Sequence, residues 1–306
     1  MIRETRYLIV NADDFGYTDG VTQGILRAWK EGIVTSTSAM INMPGAPERI
    51  ARAHQARPDL PIGLHLNITE GTPVLPVGKV TSLVDNQGHF MPPLKLVERI
   101  QHVTLDELRA ELLAQAELLL STGVKFDHID YHQTMVSMYT PFYPLVIELA
   151  KKYNVPVRNP VPISIYGHIK LEGGGGSASA MREMIKFGMR HPILAMKLMP
   201  KMSPAAFKGL MKELQDKGIQ TPDWFVDSFY GNATVENFIS MLDRLPEGIS
   251  EVMVHPAIVD DELRDIQDEY LEAREVELNV LLDPRVREEL DEYQIRLIDF
   301  GELKNL

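Results

Sequence analysis

Two adjacent carboxylates, Asp13 and Asp14, follow the run Leu8-Ile9-Val10-Asn11-Ala12 and precede Phe15-Gly16. An apolar, β-rich run stopped by polar residues reads as a buried strand, which places both acids at its C-terminal mouth, where α/β enzymes carry their chemistry. Side chains alternate along a strand, so one acid can bind a metal while the other handles a proton. The competing reading gives one of them the job of capping the helix that begins near Thr18-Asp19. Three histidines, His65, His132 and His255, stand at or just beyond the ends of other strand-like segments. A lone strand histidine is more often a hydrogen-bonded core or surface residue, but three aimed at one rim with Asp13 and Asp14 can act together. Two imidazoles and one carboxylate leave coordination positions open for water and substrate, as a catalytic divalent metal requires. Within His128-Ile129-Asp130-Tyr131-His132, His132 is taken as the ligand and His128 stays open, as a further site residue or none. Asp130 could orient a ligand histidine through its second nitrogen, or merely cap a loop. Arg158, at another strand end, could orient Asp13 or touch substrate, or form a surface ion pair.

The rest of the chain must position these groups. At 306 residues and 44% hydrophobic content it can build one large α/β domain or two medium ones. The 31 Lys and Arg against 43 Asp and Glu leave a net charge of −12. That balance argues against nucleic acid or an anionic membrane as the main partner and favours a small neutral or cationic substrate. With no cysteine, disulfides and thiolate metal sites are excluded. The start, Met1-Ile2-Arg3-Glu4, has no signal-peptide pattern and no apolar run is long enough to span a bilayer, so a cytoplasmic location is expected.

Strand-like and helix-like segments alternate. Helical periodicity over Asp19 to Gly32 leads to a second strand at Val34 to Ile41, a helix from about Pro47 to Ala56, and a third strand at Pro61 to Asn67. After a Pro- and Gly-rich loop from Gly71 to Pro93, Thr104 to Leu120 reads as an amphipathic helix with Thr104 and Glu107 in a capping-box pattern. A strand over Val124 to Asp130, a helix over Phe142 to Tyr153 and a strand at Val155 to Arg158 follow. Strands at Trp224 to Phe229, Ser250 to Pro256 and Ile295 to Phe300 are separated by a helix over Val235 to Leu245 and a long charged helical stretch over Asp260 to Leu282. The alternation predicts an α/β barrel or a doubly wound sheet, and functional residues at several strand ends favour the barrel.

Between about residues 160 and 221 the pattern breaks. Gly173-Gly174-Gly175-Gly176-Ser177 reads as a hinge, and Met181 to Met211 as a basic, Met-rich helical insertion over the barrel mouth, with subunit contact in a possible homodimer as a second use. One domain with one insertion is expected.

Taken together, these residues resemble the YdjC-like family of carbohydrate deacetylases, which includes the chitooligosaccharide deacetylases. The resemblance runs through Asn11-Ala12-Asp13-Asp14-Phe15-Gly16, Gly24-Ile25, Gly32 to Ser38, Gly63-Leu64-His65-Leu66, His128 to His132 and Glu251 to Pro256. It implies a distorted TIM-like (β/α) barrel related to the NodB-type polysaccharide deacetylases, and removal of an acetyl group from N-acetylated sugars with one divalent metal; two His and one Asp admit Mg, Zn, Mn, Co or Ni, of which Mg or Zn is expected. It further implies that Asp14, His65 and His132 bind the metal, that Asp13 is the catalytic base and that His255 is the general acid. The stretch Gln133 to Pro141 departs from the family, which commonly shows further histidines before the proline, so chitobiose is a candidate substrate only.

The residue types suit that chemistry. An amide is a poor electrophile, so a metal must polarise its carbonyl and acidify bound water while a base takes the proton. Two other classes use similar residues: another metal-dependent barrel enzyme, such as a phosphoesterase or isomerase, and a non-catalytic metal-containing sugar-binding protein. A phosphoesterase would bring more cations to the mouth, and a pure binder would need neither Asp13 nor His255.

Overall fold

The computed structural model describes residues 5–163, 185–227, 229, 232–266, 270–303 and 306. Seven strands are present among them: β1 (Arg6–Phe15), β2 (Ser36–Ala39), β3 (Ile62–Leu66), β4 (Ile129–Tyr131), β5 (Trp224–Val226), β6 (Gly248–Val254) and β7 (Ile295–Leu297). All pair in parallel, in the order β4-β3-β2-β1-β6-β5 with β7 also on β1. β6 lines β1 from Arg6 to Ala12, while β7 takes Arg6 to Leu8 and β2 takes Asn11 to Phe15 on the opposite edge. Single parallel bridges, Ile129 to Val157 and Pro162 to Phe225, carry the chain from β4 across to β5. The sheet therefore curls into a distorted TIM-like barrel, the fold that the family resemblance implies and one of the two that the alternation allows.

Strand alternation divides the barrel into two environments. Leu8, Val10, Ala12, Leu64, Leu66, Ile129, Tyr131, Val252 and Val254 belong to the large core shared with the surrounding helices. Burying each of the Leu, Ile and Val side chains among them contributes roughly 1.5–3 kcal/mol. The intervening positions face the interior. Ile9 packs there with Ile298, Phe300 and Leu303 as an apolar floor. Farther along the strands the inward residues are polar and buried: Asn11, Asp13, Ser38, His65, Asp130 and Glu251. The outer layer supplies the hydrophobic stabilisation, and the inner layer must satisfy itself by hydrogen bonds.

The ends of several elements differ from the sequence expectation. The third strand keeps its place, β6 runs two residues earlier than expected, β4 begins only at Ile129, and Val155 to Arg158 forms a single bridge at Val157 rather than a strand. Thr18 caps the Asp19–Glu31 helix, its Oγ accepting from Val21 N at 3.1 Å, so neither Asp13 nor Asp14 is that cap. The Thr104 and Glu107 box does not close. Glu107 instead accepts from Ser82 N at 2.7 Å, and Ser82 Oγ accepts from Thr104 N at 3.0 Å, because the preceding loop competes for the same groups. The Asp260 to Leu282 stretch contains two helices, Asp261–Asp265 and Leu271–Leu282, and Asp283 caps a further one, Pro284–Glu292, by accepting from Arg285 N. Of the Met-rich region, helices Pro192–Leu198 and Pro204–Asp216 are described. The Gly173 to Ser177 run and Met181 lie outside the described residues. No described helix is long and apolar enough to cross a membrane.

His128, two residues before Asp130 along the chain, lies below the chemistry. It lies beside the floor, stacked on Phe300 with ring centroids 3.8 Å apart, and its Nδ1 is 2.7 Å from Asp127 Oδ1. Gly63 makes room for that ring: a Cβ there would meet three of its atoms at 2.2–2.4 Å. Gly63→Ala is therefore expected to destabilise the protein by about 1–3 kcal/mol, read as a lowered urea midpoint. An unchanged midpoint would mean that the imidazole can leave its stack without cost.

Candidate active site

Asp13 and Asp14 sit within β1 rather than beyond it. The β1 to β2 register slips between Ala12 and Phe15, and Asp14 adopts φ of 70° inside this bulge. Left-handed backbone at a non-glycine residue costs on the order of 1–3 kcal/mol and persists where the surroundings impose it. The bulge re-aims the second carboxylate. Asp13 faces Arg158, which donates Nη1 to Oδ2 and Nη2 to Oδ1, both at 2.7 Å. Asp14 faces the histidines, with Oδ1 3.4 Å from His65 Nε2 and 3.2 Å from His132 Nδ1.

Those two ring nitrogens lie 3.3 Å apart, so three donor atoms from β1, β3 and the end of β4 converge on one point. His65 is oriented from behind: its Nδ1 is 2.8 Å from Asp130 Oδ1 and 3.1 Å from Ser38 Oγ, which leaves Nε2 turned to Asp14. A carboxylate behind an imidazole fixes its tautomer and strengthens it as a ligand. Asp14 Oδ1 is buried and accepts no hydrogen bond. An orphaned carboxylate oxygen between two imidazole nitrogens, with His132 13% exposed at its side chain, fits a divalent cation reached from solvent on one side. The local field agrees. Burial opposes a charge on His65, yet Asp130, Asp14 and Asp13 together push its pKa up to about 10. Asp14 also is driven upward by burial, but Arg274, His132 and His65 hold it well below the usual carboxylate range.

Arg158 is fully buried and joins three acids. Besides Asp13 it donates Nε to Glu251 Oε1 at 2.7 Å, and its Nη2 lies 2.9 Å from Asp130 Oδ2. Asp13, His65 and Asp130 also form a cluster of possible ligand atoms, but the guanidinium already supplies its positive charge. Burial raises Glu251 to about 7, Asp130 and Asp13 adding to the effect against Arg158. Asp130 is held well below its ordinary value: burial raises it, and Arg158 and His65 overcome that. His255, at the end of β6, is 9% exposed and its backbone N–H donates to Glu277 Oε2. Its imidazole is pushed down to about 4, chiefly by burial, although Asp14 and Asp13 pull the other way.

The model of the YdjC-like protein family matches residues 7–292. This chain belongs to the YdjC-like family. Among its relatives is a carbohydrate deacetylase of Thermoanaerobacter pseudethanolicus, 33% identical over 300 residues that cover 98% of this chain and 100% of the relative. A carbohydrate deacetylase of Geobacillus stearothermophilus is also 33% identical, covering 98% and 99%. A solved structure of an Enterococcus faecalis protein described as acting in cellobiose-phosphate cleavage superposes with a TM-score of 0.78 at 31% identity, covering 98% of this chain and 99% of that one.

Against that family frame, the structure gathers Asp13, Asp14, His65, His132, Asp130 and Arg158 into one connected network and sets His255 near it; it leaves His128 at the floor. The sequence reading passes over Asn11, Ser38 and Glu251. Asn11 Nδ2 donates to Asp13 Oδ1 at 2.8 Å and to Asp130 Oδ2 at 3.2 Å. Asn11 carries a signal, since it shares a strand phase with Asp13 while Leu8, Val10 and Ala12 fill the other; Ser38 and Glu251 stand in strands without a clean polar phase. Arg274 and Glu277 carry no such signal. They lie on the Leu271–Leu282 helix, where charge ordinarily means a solvated face, yet both are buried.

Proposed function

We propose that this YdjC-like protein is a metal-dependent carbohydrate deacetylase that hydrolyses the acetamide of an N-acetylated saccharide to acetate and the free amine. The observation that carries the reading is the convergence of Asp14 Oδ1, His65 Nε2 and His132 Nδ1 beside an Arg-clamped Asp13. End-to-end similarity to carbohydrate deacetylases supports it. Asp14, His65 and His132 would hold one divalent ion, and two imidazoles with one carboxylate suit a borderline cation such as Zn better than Mg. Such an ion supplies Lewis acidity toward the acetyl oxygen and makes its bound water more acidic.

The chain's own residues do the rest. Asp13 Oδ1 accepts from Asn11 and Arg158 and Oδ2 accepts once, so one acceptor position on Oδ2 is left for the proton of an attacking water. The water oxygen bonds to the acetyl carbon as Asp13 takes that proton. His255, neutral at rest, gains proton affinity as negative charge develops in the cleft. It takes up a proton from solvent and delivers it to the departing nitrogen as the C–N bond breaks, and Asp13 and the newly formed acetic acid release their protons to water. Arg158 and Asn11 keep Asp13 in one orientation, and Asp130 does the same for His65.

The deciding experiment is acetate release from a panel of N-acetylated mono- and disaccharides by protein stripped of metal and reloaded singly with Mg, Zn, Mn or Co. Metal-dependent release, lost together with stoichiometric metal in His65→Ala, is expected. Stoichiometric binding with no release from any sugar would refute the deacetylase reading in favour of a binding protein or another hydrolase.

A further inference from the structure

Asp14 meets two sets of partners, one for each carboxylate oxygen. Oδ1 faces His65 and His132 and accepts no hydrogen bond, while Oδ2 accepts Arg274 Nη2 at 2.8 Å. Arg274 comes from the Leu271–Leu282 helix and is buried, its guanidinium 5.8 Å from the Tyr17 ring centre. An aspartate can offer a metal one oxygen or both. To offer both here, it would have to give up a buried charge-assisted hydrogen bond, the stronger kind. It would also have to turn a side chain whose backbone is fixed at φ of 70° in the bulge.

We propose that Arg274 is a positioning residue that holds Asp14 as a one-oxygen ligand and so sets the metal preference of the site. Resting on the reading of Asp14, His65 and His132 as metal ligands, the inference adds what decides between metals. A single carboxylate oxygen beside two imidazoles gives the nitrogen-preferring ions the advantage. A two-oxygen carboxylate moves the balance toward ions that favour oxygen and higher coordination numbers.

The test uses the full-length protein, stripped of metal, with Zn and Mn as the two probes. Their dissociation constants are measured by competition in wild type, Arg274→Met and Arg274→Lys, with Mn also followed by its electron paramagnetic resonance. Arg274→Met is expected to shift the affinity ratio about tenfold or more toward Mn. Arg274→Lys, which can still donate to Oδ2, is expected to stay close to the wild-type ratio. An unchanged ratio in a folded Arg274→Met protein overturns the proposal. A crystal structure of the Zn-loaded wild type gives a check that needs no variant: one Asp14 oxygen on the ion supports the proposal, and two overturn it. Wild type that binds neither ion would instead remove the metal reading on which the proposal stands.

Discussion

Asp13→Asn is expected to lower kcat by roughly 10²–10⁴-fold, the usual contribution of a positioned general base, while bound metal stays stoichiometric. The substitution keeps the shape and retains an oxygen that can accept from Arg158, but an amide oxygen cannot take a proton from water at neutral pH. Asp13 is not among the three converging atoms at Asp14, His65 and His132, so ligand number is unaffected. The check is single-turnover acetate release together with metal content after gel filtration. Loss of metal equal to that of His65→Ala would show that the division of labour between Asp13 and Asp14 is wrong. KM rising with kcat unchanged would make Asp13 a substrate contact instead.

Arg158→Met should produce the largest loss of stability, about 3–5 kcal/mol, because it leaves buried carboxylates without their cation. Arg158 is 0% exposed and meets Asp13, Asp130 and Glu251, themselves 2%, 0% and 0% exposed. Methionine fills much of the space against Phe225, whose ring centre lies 4.9 Å from the guanidinium carbon, so packing loss is the smaller effect. The sign of the pH dependence follows from the carboxylates. Without Arg158 their folded-state pKa values rise above the unfolded ones, so the folded variant binds more protons. Its deficit relative to wild type then grows as pH rises and shrinks as pH falls. Wild type already carries one such group, since Glu251 at about 7 loses its stabilising contribution as pH rises from the ordinary glutamate range through 7. Urea midpoints at pH 5.5 and pH 8 decide the matter. A deficit equal at both values would assign the loss to packing rather than to uncompensated charge.

Much of this protein can be read from local pattern. The alternation of apolar strands with amphipathic helices points to a parallel sheet covered on both faces, a barrel or a doubly wound sheet, and functional residues at several strand ends favour the barrel. The strand-end positions of Asp13, Asp14, His65 and His132 put them on one rim without knowledge of any contact. Part of the polar interior is legible too, Asn11 sharing a strand phase with Asp13. What pattern cannot carry is distance between segments far apart in the chain. His128 and His132 look alike in sequence, and only their different heights in the barrel set one on Phe300 at the floor and the other beside Asp14. The roles of the two aspartates separate because a bulge turns Asp14 to φ of 70°, a backbone state its residue type does not announce. Arg158 and Arg274 find carboxylates 145 and 260 residues away. Such pairings are selected by the closure of the barrel, where burial makes every unmatched charge costly, and no short-range rule in the sequence encodes them.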